Sequence, residues 1–299
     1  MYMTPIATPS RVVVLTGAAS GIGRHLAGLL AGGGDRLLAT DVDLTALEAT
    51  ARQDTWPADR VLLAALDVRD PAAWRQTIQR AVDTWGRLDV LLNVAGIIQP
   101  GLVHAQAPRD IDWHLDINAK GLIYGTQAAA AVMVAQRSGQ IVNLASMAAL
   151  AAVPGLALYT ASKWAVRGFS LAIAQELAPH GVRVSIVYPD AVETPMLDKQ
   201  LDYQEAALTF SGPRLLSVDE VGRAIVEQAL QRGRLEVIIP WSRGFLSKLT
   251  SCFPTWAARV LPTLTAKGLR RQNAARDRLK SRSPNASAPL EWKTPRNAQ

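Results

Sequence analysis

Seven short apolar runs recur along the chain, at 12–15, 36–40, 61–66, 88–92, 140–144, 182–187 and 235–239, each bounded by turn or helix-start signals. Longer stretches with helical spacing separate them. Short, nearly unbroken apolar strands alternating with helices are what a parallel sheet covered on both faces requires, because its strands are buried above and below. The pattern therefore predicts the α/β class. No internal repeat or heptad array interrupts it.

After Pro240 the pattern changes. Phe245, Leu246, Leu249, Phe253, Trp256, Val260 and Leu264 recur at helical spacing. Pro254 and Pro262 are expected to interrupt any single helix there, because proline lacks the amide that a helix interior uses. From about Lys267 the chain turns basic and polar, and enrichment in Ser, Pro, Asn and Ala beyond Ser281 predicts a disordered end. The expected organisation is an N-terminal arm at 1–10, a folded domain at 11–240 and a C-terminal basic extension at 241–299.

Composition narrows the class. Hydrophobic residues make up 49% of the 299 and charged residues 19%, which supplies a sizeable core and excludes global disorder. Cys252 stands alone, so no intramolecular disulfide can form and a cytoplasmic protein is expected. Residues 1–10 lack the basic and apolar pattern of a secretory signal. The longest apolar-rich run, 144–158, contains Ser146, Pro154 and Gly155 and falls short of a membrane span. The net charge of +7 belongs to one end: residues 1–230 hold 18 Lys/Arg against 22 Asp/Glu, residues 231–299 hold 14 against 3. No aromatic and basic interleaving accompanies that tail, so nucleic-acid binding is not expected.

The first apolar run leads into Thr16-Gly17-Ala18-Ala19-Ser20-Gly21-Ile22-Gly23 and then into a helical pattern. That order places free amides and the positive end of a helix dipole where a pyrophosphate can sit, with the turn formed by Gly17, Ser20, Gly21, Ile22 and Gly23. Such a turn can also be a mere connection. Asp41, at the end of the next run, stands where a carboxylate accepts from ribose hydroxyls and would repel a 2′-phosphate, favouring NAD over NADP. Its plainer reading is a cap on the following helix.

The glycine turn, Asn93-Val94-Ala95-Gly96, Asn118, Ser146 and Tyr159-Thr160-Ala161-Ser162-Lys163 together resemble the short-chain dehydrogenase/reductase family, over about residues 11–240 and in the right order. The resemblance implies a Rossmann-like doubly wound parallel sheet of about seven strands in a single domain. It also implies an NAD(P)-dependent oxidoreductase acting on CH–OH groups. Asp67 and Val68 are implied to contact adenine, and the backbone from Asn93 through Ala95 to Gly96 to line the adenosine side. Pro189, Val192 and Thr194 are implied to lie in the loop over the nicotinamide, Thr194 bonding its carboxamide. Two positions depart from the family: Val94 replaces a common second Asn, and Asp190 replaces the usual Gly after Pro189, facing either the nicotinamide or solvent.

The residues argue the chemistry themselves. Tyr159 and Lys163 stand four apart on one helix face, and a nearby ammonium favours the ionised phenol. Tyr159 is thus the expected general acid/base, and Ser146 can hydrogen-bond the substrate oxygen. The resemblance implies the same roles, with Lys163 also on the nicotinamide ribose and Asn118 holding a proton-relaying water. Singly, each has a plainer reading: an exposed helical pair, a helix cap at Ser146, the end of a helical turn at Asn118. Beside a cofactor turn the set favours catalysis.

Substrate selectivity is expected from the segments 97–103, 148–158 and 191–215. The first two are rich in Ile, Leu, Val and Ala, and the third contributes Met196, Leu197, Leu201, Tyr203 and Phe210, which points to an apolar alcohol or ketone. His104 and His114 have no metal-ligand spacing around them, so no metal is expected, and both read as surface or loop residues. The segment 241–282 combines an apolar stripe with basic residues, fitting either peripheral contact with anionic lipid or packing against the catalytic domain or a partner subunit. Relatives imply a homo-oligomer, a dimer or tetramer, through the helices at 109–135 and 157–177. The favoured function is NAD-linked oxidation of a secondary alcohol. Its rivals are an NADPH-dependent reductase of a lipid-like ketone and a non-catalytic, membrane-associated dinucleotide-binding scaffold.

Overall fold

A computed structural model describes residues 10–282. The seven apolar runs are strands: β1 (Val12–Thr16), β2 (Arg36–Asp41), β3 (Val61–Ala65), β4 (Val90–Asn93), β5 (Gly139–Leu144), β6 (Val182–Pro189) and β7 (Glu236–Ile239). All pair in parallel, in the order β3-β2-β1-β4-β5-β6-β7. This is a single Rossmann-like sheet. The order reverses between β1 and β4, and in such sheets ligands bind in the crevice outside the carboxyl ends of the strands at that reversal.

Strand β1 shows why the sheet forms. All of its side chains are buried, and they alternate: Val13 and Leu15 enter one apolar cluster with α1 (Gly21–Gly32) and α2 (Leu44–Gln53), while Val12 and Val14 enter the other. That second face is covered by α3 (Pro71–Trp85), α5 (Leu122–Gln136) and α6 (Ala157–Leu177), and the short α4 (Pro108–His114) precedes α5. A period of two on strands with both faces covered yields continuous apolar sequence. Each fully buried Val or Leu contributes roughly 1.5–3 kcal/mol, so this central layer dominates the core. Asp43 and Asp70 start α2 and α3 by accepting bonds from the first-turn amides of Ala46 and of Ala72 and Ala73.

Two regions depart from the expected pattern. Between α4 and α5 the helix winds through a π-turn, Leu115–Gly121, which carries Asn118. Beyond β6 come α7 (Pro195–Asp198), the 3₁₀ stretches Lys199–Asp202 and Gln204–Ser211, and α8 (Val218–Ala224), which continues as a second π segment. Beyond β7, Pro254 separates α9 (Trp241–Cys252) from α10 (Pro254–Arg282), as its first-turn position allows. Pro262 does not break α10. Val260, Leu261 and Leu264 face the cleft on both sides of it, and Gly268 and Gln272 dock further along, so packing outweighs the lost helix bond. The expected arm and the disordered end fall largely on 1–9 and 283–299, outside the described residues.

Candidate active site

A cavity of about 2040 Å³ opens at the carboxyl ends of the strands, larger than a site for one small ligand and able to hold a dinucleotide with a substrate. Its floor is the turn from β1 into α1. Gly17 holds φ at +72°, and a Cβ at Gly23 would stand 2.0 Å from the Gly17 carbonyl oxygen, so the helix can begin this close to the strand only with glycine at both positions. Thr16 accepts from the amides of Val94 and Ala95 at 3.0 and 3.1 Å, locking the β4 loop beside the turn. Gly17, Ser20, Gly21, Ile22 and Gly23 all border the cavity, as do Asp67, Val68, Ala95, Gly96, Pro189, Val192 and Thr194. The cradle fits a pyrophosphate: glycines where a side chain would fill the space, at the start of a helix whose first amides need acceptors.

Asp41 does not cap α2; Asp43 does. Instead its carboxylate accepts from the Ala19 amide at 3.0 Å and the Asp43 amide at 3.2 Å, and burial pushes its pKa up against those bonds. It is held at the cavity wall, tied to the glycine turn. Asp67 is gripped by Arg69, whose guanidinium holds the carboxyl below its usual range and was not anticipated from the pattern of glycines and acids. Asn93 lies off the cavity: its amide nitrogen donates to Asn143 at 2.9 Å and Thr126 at 3.2 Å within the core. A side chain at the carboxyl end of a strand points to one face or the other, and here that face is internal.

The catalytic candidates converge where β4, β5 and α6 meet. Ser146 follows β5, caps the 3₁₀ turn Met147–Ala149 by accepting from Ala148 at 3.1 Å, and lies close enough to Tyr159 for its hydroxyl to favour the ionised phenol. Its capping role and its place beside the tyrosine coexist. Lys163 is buried, donates to the Leu144 carbonyl at 2.8 Å, and lies 5.7 Å from the centre of the Tyr159 ring. The expected lowering of the phenol by this ammonium does not dominate. Burial pushes Tyr159 up to about 12 and Lys163 down to about 8, because both charged forms lose water, and the nearby Ser146 hydroxyl only opposes the rise in Tyr159.

Asn118 is buried behind the cavity rather than lining it. Both its amide protons are committed, to the Ile97 carbonyl at 2.9 Å and Ser162 Oγ at 3.0 Å, while its oxygen accepts from the Ile97 amide at 2.8 Å. The π-turn thus places Asn118 as a brace for the strand β4 loop. Gly96 separates it from Lys163: a Cβ there would lie 3.2 Å from Asn118 Oδ1 and 3.7 Å from Lys163 Nζ.

Beyond Ser146 and Tyr159 the cavity is bordered by Ile98, Val153, Leu156, Trp164 and Met196, and by Leu246, Leu261 and Leu264 from the extension. Tyr203 and Leu197 also reach it, whereas Leu201 and Phe210 turn away into a cluster with Ala275 of α10. Asp190 faces neither solvent nor open cleft alone: its carboxylate pairs with Arg243 of α9 at 2.5 Å, and Arg243 also donates to Ser211 Oγ at 3.0 Å. Burial raises the Asp190 pKa, with the guanidinium opposing. His104 is exposed, but His114 is fully buried, donating from Nδ1 to the Asp110 carbonyl at 2.7 Å and accepting from the Gln99 amide at 3.1 Å, so it fixes the first substrate segment. Only the tertiary fold shows that role. The wall from α9 and α10 was likewise not readable, since helical spacing says which residues share a face and not what the face meets.

A family model described as short chain dehydrogenase matches residues 11–205. The chain belongs to the short-chain dehydrogenase family, nicotinamide-dependent oxidoreductases acting on CH–OH groups. It is 38% identical over 201 residues to 2-(R)-hydroxypropyl-CoM dehydrogenase of Xanthobacter autotrophicus, covering 66% of this chain and 80% of that one. The crystal structure of levodione reductase superposes with a TM-score of 0.71 at 28% identity, over 78% of this chain and 97% of that one. A short-chain dehydrogenase/reductase from Burkholderia phymatum, in complex with NAD, superposes with a TM-score of 0.70 over 95% of this chain and 98% of that one. At 24% identity that last likeness is one of fold, and it extends into the C-terminal helices.

Proposed function

We propose that the chain catalyses the reversible oxidation of an apolar secondary alcohol to a ketone with NAD. The observation that carries this reading is one continuous cavity, lined by the glycine turn and Asp41 at one end and by Ser146, Tyr159 and Lys163 at the other. Bound there, the nicotinamide ring supplies the hydride acceptor. As the phenolate Tyr159 takes the hydroxyl proton while the carbonyl forms, and as the phenol it returns it in the reverse direction; the positive charge of a bound oxidised nicotinamide would oppose the rise that burial alone imposes on this group. Ser146 donates to the same oxygen and steadies the charge developing on it. Lys163 holds positive charge beside the phenol and would help hold the nicotinamide ribose. Asp41 would hold the adenosine ribose and repel a 2′-phosphate.

The apolar side chains Ile98, Val153, Leu156, Leu246, Leu261 and Leu264 support an apolar substrate, whose burial there is favourable at roughly 25 cal/mol per Å². Exposed Ile111 and Leu115 beside α4 support assembly of the chain with copies of itself. Turnover across matched series of apolar and polar secondary alcohols, followed by NADH fluorescence, tests the reading. Rates are expected to rise with apolar chain length, and a preference for small polyols would end it.

A further inference from the structure

Helix α9 has three faces, and one of them is left exposed by the described residues. Arg243, Ser247, Thr250 and Ser251 border the cavity, while Gly244 packs on Ile238 and Lys248 pairs with Glu236 at 2.6 Å. The remaining face carries Trp241, Phe245 and Leu249 at successive i+4 positions, flanked by Leu246 and Phe253. All five are exposed, Trp241 at 69% and Phe245 and Phe253 at 58% each, and the Trp241 and Phe245 rings stack 5.8 Å apart. Leu246 belongs to both this face and the cavity border, so the apolar surface runs into the mouth of the cleft.

The next helix adds charge of one sign. On α10, Trp256, Arg259, Thr263, Lys267 and Arg270 follow one another at spacings of three and four, and all are exposed. No described carboxylate pairs with Arg259, Lys267 or Arg270. Across 241–282 the sequence holds ten Lys/Arg and one acid, Asp277. The two tryptophans, apolar in body and polar at the indole N–H, are suited to the boundary between hydrocarbon and headgroups.

We infer that α9 and the first half of α10 form a docking face for an anionic lipid bilayer, with the mouth of the substrate cleft at its edge. The aromatic face of α9 would enter the headgroup boundary, and Arg259, Lys267 and Arg270 would meet the acidic headgroups. No described helix is long and apolar enough to cross a membrane, so the contact is peripheral. A second copy fits less well. Symmetric pairing through this patch would set one basic stripe against its twin, and like charges oppose that approach.

The test is flotation of the full chain with phosphatidylcholine vesicles, with and without phosphatidylglycerol. An environment-sensitive dye on the sole cysteine, exposed Cys252 at the end of α9, gives a second readout. Partition is expected onto the anionic vesicles about tenfold or more above the neutral ones, weakened by salt, with a blue shift of the dye. Trp241→Ser/Phe245→Ser/Phe253→Ser should abolish flotation and the shift, and Arg259→Glu/Lys267→Glu/Arg270→Glu should abolish the preference for phosphatidylglycerol. None of these six borders the cavity, so NADH binding is expected to persist in both variants. Absence of flotation, equal flotation of the serine variant, or a dimer in light scattering that this variant dissolves without any vesicle binding would overturn the inference. Because flotation needs no turnover, such a failure leaves the catalytic reading standing.

Discussion

The glycine turn and the C-terminal helices border the same cavity, yet different contacts hold them. The turn is held through backbone: the Gly17 carbonyl against Gly23, the Val94 amide donating to Thr16, the Ala19 amide donating to Asp41. The helices are held by the tips of long side chains, with Arg243 on Asp190, and Gln272 donating to the Gln200 and Tyr203 carbonyls at 2.7 Å each. A phosphate cradle leaves little room for variation, because its geometry is fixed by backbone amides and missing side chains. A substrate wall built by one helix on another can change shape through any of its side chains. On the proposed reading, cofactor binding and proton transfer sit on the sheet, and selectivity sits on the part that closes over it.

Substitutions can separate the two regions. The largest effect is expected at Gly23→Val, whose side chain would collide with the Gly17 carbonyl; NADH binding, read by fluorescence, should fall by about a hundredfold or more. Next comes Lys163. The unfolded chain keeps this proton to about 10.5, whereas burial releases it near 8 in the fold. Between those values the unfolded state binds more protons, so stability rises with pH. Relative to Lys163→Met, the wild type is expected to gain up to about 3 kcal/mol from pH 8 to 10.5, measured by denaturant titration.

Gln272→Ala, in the other region, removes the side-chain donor from the Gln200 and Tyr203 carbonyls, each of which keeps only a local backbone amide. A loss of about 2 kcal/mol is expected in denaturant unfolding, with NADH affinity unchanged. Should NADH affinity fall as well, the two regions are coupled and the comparison fails. The smallest effect is expected from Asp41→Ala. Binding of NADPH should improve about tenfold relative to NADH, because only the phosphorylated ribose meets the carboxylate as a like charge.

The legibility of the sequence follows the same division. Strands β1 and β4 are buried on both faces and so read as unbroken apolar runs, and the part-buried edge strands β3 and β7 stay apolar enough to be located as well. The cavity border at Gly17 to Gly23, Asp41, Ser146, Tyr159 and Lys163 was readable because its spacing is local or tied to strand ends. The bracing role of Asn118, the burial of His114 and the inward turn of Asn93 depend on which face of a packed element each side chain meets. Sequence spacing does not carry that. Pro262 shows the limit from the other side, since a strong local breaker was overridden by the docking of α10.

The central claim is that Tyr159 moves the proton while the rest of the cavity holds the cofactor. Substituting Tyr159→Phe removes one oxygen and keeps the ring, so the decisive measurement is turnover beside NADH affinity in that variant. The account predicts unchanged affinity and a fall in kcat of about a hundredfold to ten-thousandfold on every accepted alcohol. Undiminished turnover with the phenol gone would contradict it.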